Sequence, residues 1–548
     1  MPSSVISESA LNLIDRCAEQ MLAHDGTPGY AMAITGRDRL LAFRSWGSVD
    51  LAGGGAPTNG TLYESGSIGK SFTAAVVLQL AAEGRIELHA PMADQLPLFV
   101  IPSPFDPITP HHLLTHTSGL ASGTDHVPSQ EYELWLMRHT SLSVAPNERF
   151  MYSNLGYKAL GMLIEHVTGR SYADVVTERI FAPLGITNSE ASITHETRTR
   201  LAPGYTPRFD DRPFLQRYGW VPATWLETNT ADGCLAMTAP DLAAWLRCLL
   251  NRGVTDSGAR ILTDEQFGLL LRPHQAETPS PDYGYGIVSE QTDDGRQVIG
   301  HGGGMVGWVS MMTGDLDAGI GVVVFNNAYG NPDRLAEFAL RVVVAGKAGA
   351  PLPDLPAPPD PLAIVDAADY CGTWQGPEGS LEITTHGDGL AVRRDGNLLP
   401  LIAGDPGVKG DLFMIDHPAF DRHYLRFHRD DDGALTELTH GSNWYAKPGD
   451  PVPAEEPPVP DAWRALVGHY RNYNPWQGNV HIYVRKGQLW LGMRGSRFEV
   501  PLQPDGDGFT YDTPRSARER ITFGPVYNGK ALAVRTDSGV EMSRFFTP

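Results

Sequence analysis

Three short stretches of the chain bring together residue types that can move protons and attack a carbonyl carbon. The first is Glu64-Ser65-Gly66-Ser67-Ile68-Gly69-Lys70-Ser71. Ser67 and Lys70 are three apart, so on a helix they share a face and the amine can reach the hydroxyl. A serine at a helix N-terminus also sits where free N–H groups and the helix dipole stabilise developing negative charge. Gly69-Lys70-Ser71 ends like a phosphate-binding loop, but the position five before its second glycine is Glu64, whose charge opposes phosphate. Taken alone, such a pair is common as an ordinary surface serine and lysine. Two further stretches weigh against that reading.

Tyr152-Ser153-Asn154 opens a helical pattern and would project a phenol and an amide from one turn. A phenol beside an ammonium ionises more easily, so a Tyr–Lys pair can act as general base toward a serine. A lone tyrosine would instead be a packed aromatic with a satisfied hydroxyl. Gly300-His301-Gly302-Gly303-Gly304 lies between two strand patterns, Gln297 to Gly300 and Gly307 to Thr313. Glycines at this density let a backbone approach a ligand closely and offer N–H groups, or make a plain glycine-rich hairpin.

The elements that must position these residues follow from periodicity. Helices are expected over Ser7 to His24, Ser71 to Gly84, Ser153 to Thr168, Tyr172 to Phe181, Ala239 to Asn251 and Asp333 to Val344. Gly29 to Trp46 reads as two strands joined at Gly36-Arg37-Asp38-Arg39, and a further strand follows at Gly319 to Phe325. This order fits a sheet whose first and last strands come from the two ends of the stretch, with a helical region between.

The chain has 548 residues, enough for about three domains. Its 41% hydrophobic and 20% charged residues exclude a disordered or collagen-like chain. A formal net charge of −21 argues against nucleic acid or an anionic membrane surface as partner. Cys17, Cys234, Cys248 and Cys371 lack metal-ligand spacing, so no metal is expected. No leader pattern opens the chain and no apolar window is long enough to span a membrane, so a cytoplasmic location is expected.

Two proline runs, Pro351 to Pro361 and Pro448 to Pro460, read as linkers. They divide the chain into residues 1–350, 362–447 and 461–548. The last two parts resemble each other. Tyr370-Cys371-Gly372-Thr373-Trp374 answers to Leu466-Val467-Gly468-His469-Tyr470, and three alternating segments follow in both at an offset near one hundred residues. Two tandem antiparallel β-barrels are expected, the alternative being one continuous β-domain.

Taken in order, Ser67-x-x-Lys70, Tyr152-Ser153-Asn154 and His301-Gly302-Gly303 resemble the three motifs of the serine β-lactamase and penicillin-binding-protein superfamily. Among its branches the chain is most similar to D-aminopeptidase-like and linear-peptide-degrading three-domain hydrolases. His112 to Leu120, Asp232 to Leu242 and Tyr283 to Gly286 support the resemblance, which covers residues 10–345. It implies an α+β catalytic domain, an antiparallel sheet flanked by helices with an all-helical region, followed by the two barrels. It implies Ser67 as acylated nucleophile, Lys70 as its proton-accepting partner and Tyr152 as general base or acid. Asn154 would hold Lys70 or the substrate amide, and His301 would orient Tyr152 or bind substrate. The N–H groups of Ser67 and Gly304 would form the oxyanion hole, with Gly302 and Gly303 lining the site. No cofactor is implied.

The third motif departs from the Lys-Thr/Ser-Gly common in penicillin-binding relatives, because Gly302 has no hydroxyl and His301 is largely neutral at pH 7. Recognition of a free carboxylate there is weakened, which counts against D-alanine carboxypeptidase action and efficient β-lactam hydrolysis. The expectation is therefore a serine peptidase or amidase acting on short or linear peptides. The alternatives are a carboxylesterase or β-lactamase-like hydrolase, an acyl-transferring peptide cyclase and, outside enzymes, a non-catalytic sensor. Three intact motifs weigh against the sensor. The barrels would restrict the active-site mouth, with the acidic segment Asp405 to Asp416 offered to a substrate amine, or would only pack or form a homodimer contact.

Overall fold

The computed structural model describes every residue except 1–5, 124–128, 141, 143, 275–281, 359, 405–410, 453–456, 475, 477, 494, 496, 514–515, 538 and 546–548, and leaves the side chains of 512–517 undescribed. The chain forms two compact units. One comprises Met1–Thr206, Trp220–Pro356 and Pro514–Ala517, the other Pro207–Gly219, Ala357–Thr513 and Arg518–Pro548.

The first unit is built on a six-stranded sheet of β1 (Gly29–Gly36), β2 (Leu40–Gly47), β3 (Val288–Gln291), β4 (Gln297–Met305), β5 (Trp308–Asp315) and β6 (Ile320–Asn326). The strand order is β2-β1-β6-β5-β4-β3, antiparallel throughout. The two chain-end strands β1 and β6 therefore meet at the centre. Both are buried along their whole length, as strands covered on two faces must be.

Five longer helices accompany the sheet: α1 (Glu8–Asp25), α2 (Gly69–Ala82), α3 (Asn154–Thr168), α4 (Ala239–Leu250) and α5 (Pro332–Ala348). Ile14 and Ala18 of α1 and Leu335, Phe338 and Val342 of α5 form one core with Met32, Ile34, Val322 and Val324 of the sheet. On the opposite face α4 lies against β5 and β6. A Cβ built on Gly321 would come within 2.4 Å of Leu246, so only glycine admits the helix this close. Nearly every side of α2 is buried, which is why its sequence shows little amphipathic contrast. It is pinned to α4 by Phe72 stacked on Trp245 at 4.6 Å and by the indole N–H of Trp245 donating to Ser71 Oγ at 2.9 Å.

One boundary differs from the periodicity. β4 does not stop at Gly300 but runs through His301-Gly302-Gly303-Gly304 to Met305, pairing Gly302 with Met311 and Gly304 with Val309. Glycines carry no side chain to alternate, so the strand signal vanishes where the backbone pairing continues.

The second unit holds two antiparallel β structures, as the repeat implied. The first is a closed barrel of eight strands in sequence order, Gly372–Gly376 through Asn443–Ala446, sealed by the pairing of Gln375 with Ala446. The second is a nine-stranded sheet whose two edge strands, Glu499–Pro501 and Gln503–Asp505, are separated in the chain by Leu502 alone. A sheet whose edges are neighbours in sequence is curled almost into a barrel. The duplication is visible in detail: Trp374 donates to the carbonyl of Tyr370 at 2.9 Å, and Tyr470, at the matching position, donates to the carbonyl of Leu466 at 2.6 Å.

Pro207–Gly219 counts with this unit although it lies inside the first 350 residues. It is held there by ion pairs: Arg212 to Asp421 at 2.5 Å, Arg471 to Asp210 at 2.5 Å, Arg422 to Asp211 and Arg217 to Asp416. Of the acidic segment expected to meet a substrate amine, 405–410 lie outside the described residues. Asp411 is already taken by Arg429 at 2.9 Å and by the phenol of Tyr370 at 2.9 Å, so it offers no free carboxylate. Among the described residues no helix is long and apolar enough to cross a membrane.

Candidate active site

Ser67 lies in a single 3-10 turn, Gly66–Ile68, that runs straight into α2. It is partly exposed in an otherwise buried stretch from Leu62 to Leu78. The turn begins at Gly66 with φ +56°, and four glycines let neighbouring backbones close around it. A Cβ on Gly66 would sit 2.5 Å from the Gly304 nitrogen, and one on Gly303 would sit 1.9 Å from the Ser65 carbonyl oxygen. Gly233 packs on Gly66, where a Cβ would reach 2.8 Å, and Gly286 packs on the Lys70 carbonyl, where a Cβ would sit 2.6 Å from the oxygen. The main-chain nitrogen of Gly304 is thereby brought beside the nucleophile turn. Ser310 Oγ ties the neighbouring strand β5 to the turn by donating to the Ser65 carbonyl at 2.8 Å.

Lys70 is fully buried. Its Nζ donates to Ser67 Oγ at 3.0 Å, Asn154 Oδ1 at 2.8 Å and the Asp232 carbonyl at 2.6 Å. Three acceptors match the three donors of an ammonium. The same Nζ lies 4.8 Å from the centre of the Tyr152 ring and 5.5 Å from that of Tyr157. The first two motifs are thus in direct contact.

Tyr152 and Asn154 owe their positions to the start of α3. Ser153 caps that helix by accepting from the Gly156 N–H at 3.1 Å and donates to the Ala121 carbonyl at 2.6 Å. The N–H of Asn154 donates to the Ser122 carbonyl at 2.6 Å. His116 holds the residues on either side of Tyr152. Its carbonyl accepts from Met151 N–H at 2.7 Å, and its Nδ1 accepts from Ser153 N–H at 3.0 Å. Its ring rests 4.2 Å from that of Tyr152. A non-glycine φ of +56° at this fully buried residue is a strained backbone held by its surroundings. Residue type and spacing alone assign no role to His116. The signal available was a histidine amid a Thr-His-Thr-Ser-Gly run.

His301 is buried and close to the group without completing it. Its Nδ1 lies 2.6 Å from the Gly302 carbonyl, so that nitrogen carries the proton, and Nε2 accepts from the phenol of Tyr283 at 3.0 Å. Both ring nitrogens are therefore engaged, and Tyr152 is met only ring to ring at 6.4 Å. An orienting hydrogen bond from His301 to Tyr152 is not what the structure gives, because Tyr283 stands on the Nε2 side. Gly302 and Gly304 face open space: a Cβ on Gly302 would meet nothing closer than 3.9 Å, and one on Gly304 nothing within 4 Å. Tyr283, Tyr157 and Asp232 complete the surroundings and were not singled out by type and spacing.

Burial pushes His301 down to about 4, aided by the Lys70 charge, and holds His116 well below its ordinary value for the same two reasons. Both stay neutral in the folded protein where the unfolded chain, with histidine near 6.5, takes up protons. Stability from these groups is full above about pH 6.5 and is lost as pH falls below it, for His301 down to about 4, by up to about 1.4 kcal/mol per pH unit for each histidine still neutral in the fold. The urea midpoint is expected to drop between pH 7 and pH 5, with a shallower drop in a His301→Asn variant. A midpoint independent of pH over that range would show that these rings are not buried neutral.

Known proteins share parts of this chain's sequence and fold. The beta-lactamase family profile matches residues 14–346. Penicillin-binding protein 4 of Amycolatopsis lactamdurans is 26% identical over 363 residues, 64% of this chain and 93% of that protein. A D-aminopeptidase of Brucella canis is 28% identical over 373 residues, and the match spans 65% of each chain. The structure of an octameric penicillin-binding protein homologue from Pyrococcus abyssi aligns with TM-score 0.55 at 23% identity, covering 80% of this chain and all of that one. That likeness is one of fold and extends beyond the sheet and helices of the first unit.

Proposed function

Because this chain belongs to the beta-lactamase family, we propose that it is a serine amidohydrolase that cleaves short or linear peptides through an acyl-enzyme on Ser67. The observation that carries this reading is the contact of Lys70 Nζ with Ser67 Oγ at 3.0 Å and Asn154 Oδ1 at 2.8 Å, with the Tyr152 ring 4.8 Å away.

In this mechanism Ser67 Oγ attacks the substrate carbonyl carbon while its proton passes to the Tyr152–Lys70 pair. The N–H groups of Ser67 and Gly304 hold the oxyanion. As the tetrahedral intermediate collapses, the departing amine receives a proton from Tyr152, leaving an ester on Ser67. Water, deprotonated by the same pair, then attacks that ester and frees the acid. Asn154 keeps Lys70 aimed at Oγ. His116 fixes the backbone from which Tyr152 projects, and His301 anchors β4 through Gly302 and Tyr283. The D-aminopeptidase among the relatives supports an amide substrate with D-configured or unusual residues. The open, hydroxyl-free Gly302 supports one without a carboxylate at that point.

Tyr152→Phe is expected to lower kcat/KM by about 10³-fold, within the range for positioned acid–base groups, with the melting temperature little changed. Unchanged turnover would remove Tyr152 from the proton path. Substrate class is tested by comparing D-amino-acid anilides, linear peptides and p-nitrophenyl esters. Turnover of esters with peptides left intact would replace this reading by a carboxylesterase.

A further inference from the structure

Gly302, Gly303 and Gly304 have no side chains to pack, so the strand that presents the Gly304 N–H depends on its neighbours for its position. The ladder between β3 and β4 ends at the pairing of Val288 with Gly300. Among the described residues, β4 from His301 onward is paired along one edge, with β5. His301 is the first residue past that point, and its Nδ1–H donates to the carbonyl of the next residue, Gly302, at 2.6 Å.

That bond needs the proton on Nδ1, and a neutral imidazole has one proton for two nitrogens. Burial and the Lys70 charge keep the ring neutral. What fixes the choice of nitrogen is Tyr283, whose phenol donates to Nε2 at 3.0 Å. Burial holds that phenol well above its usual range, so it stays a donor. Tyr157, the other phenol beside it, gives its own proton to the Leu114 carbonyl at 2.8 Å.

Tyr283 is itself firmly placed. It is buried and bridges to Val288 of β3, and its ring lies 5.0 Å from that of His116 and 5.5 Å from that of Phe150. Two residues on, the Tyr285 N–H donates to the Leu270 carbonyl at 2.9 Å, and Gly286 closes on the Lys70 carbonyl. One short segment thus touches both the surroundings of Tyr152 and the strand that carries Gly304.

Building on the serine amidohydrolase reading, we propose that Tyr283 is a positioning residue for the reaction: its phenol locks the His301 tautomer that clamps Gly302, and thereby sets the Gly304 N–H against the oxyanion. In this role Tyr283 needs no contact with substrate, and no bond is made or broken at it. Its effect falls on the transition state, where the oxyanion exists, and not on substrate binding.

Tyr283→Phe keeps the ring and deletes the hydroxyl. It is expected to lower kcat by about 10–30-fold with KM within about twofold, a smaller loss than the ~10²-fold or more of removing an oxyanion donor outright. In His301→Asn protein the same substitution is expected to cost about twofold or less, because the group it acts through is gone. Imidazole nitrogen NMR of histidine-labelled protein reads the tautomer directly, with His301 identified by the signal missing from His301→Asn. The unsubstituted protein must show His301 with Nδ1 protonated and Nε2 bare at neutral pH. In Tyr283→Phe the His301 titration midpoint, about 4 with the phenol in place, is expected to rise by about one pH unit, since the bond that favoured the neutral ring is lost. A ring that only fills space would leave that midpoint where it is. A proton on Nε2 in the unsubstituted protein, an unmoved midpoint, an unchanged kcat, or the full loss repeated in His301→Asn each overturns the proposal. Should Tyr283→Phe fail to fold, the tautomer in the unsubstituted protein decides. Labelling of Ser67 by a fluorophosphonate separates the two readings. Labelled protein whose kcat ignores Tyr283→Phe sinks this inference alone, whereas unlabelled protein sinks the hydrolase reading beneath it.

Discussion

Ser67→Ala is expected to lower kcat by about 10⁶-fold and to abolish the mass adduct formed with a fluorophosphonate, the scale seen when a serine nucleophile is removed. Only one hydrogen bond in the site is lost, that from Lys70 Nζ to Oγ at 3.0 Å, while the Asn154 and Asp232 acceptors remain. The backbone of the turn keeps its glycine contacts, so the fold and melting temperature should be retained. Activity left over would come from the backbone N–H groups and substrate binding alone. An adduct on the alanine variant would place the nucleophile elsewhere, and the three-motif assignment would fall with it.

Lys70→Met is expected to cost about 10⁴-fold in kcat/KM, carried by kcat, at the upper end of what one positioned proton-transfer group supplies. Methionine is of similar length and fills the same buried space. It provides none of the three donors, however, and removes the cation facing the Tyr152 ring at 4.8 Å. The Ser67 hydroxyl loses both its partner and its route for the proton. Lys70→Arg should not rescue, because a planar guanidinium cannot present donors to three acceptors arranged around a compact, fully buried ammonium. Near-normal turnover in either variant would leave Tyr152 to act without Lys70, contrary to the contact geometry.

Much of this protein is legible in its sequence. The helix read as Ser7 to His24 is α1, Glu8–Asp25, because Ser7 caps it and Gly26 ends it with φ 63°. The β repeat is legible because a strand pattern and its turn glycines survive duplication, down to Trp374 and Tyr470 each bonding the carbonyl four residues back. Gly300 misplaces the end of β4 because four glycines in five residues erase the alternation on which strand recognition depends.

The sequence by itself determined which residues can do chemistry and in what order: Ser67 with Lys70, one helical turn apart, Tyr152 with Asn154, and the glycines around His301. Helical spacing is a local rule, so the first pair could be read directly. Only the tertiary structure decided what those residues touch. Lys70 meets Asn154 across 84 residues and the Asp232 carbonyl across 162, and Ser153 meets His116 across 37. No periodicity encodes such contacts, because they arise from chain segments packed together by burial rather than by spacing. For the same reason the sequence could not show that both nitrogens of His301 are occupied, that Pro207–Gly219 belongs with the second unit, or that Oδ1 of Asp232 is buried without a partner. Exposure and partnership are properties of the folded arrangement, set by which segments burial brings together.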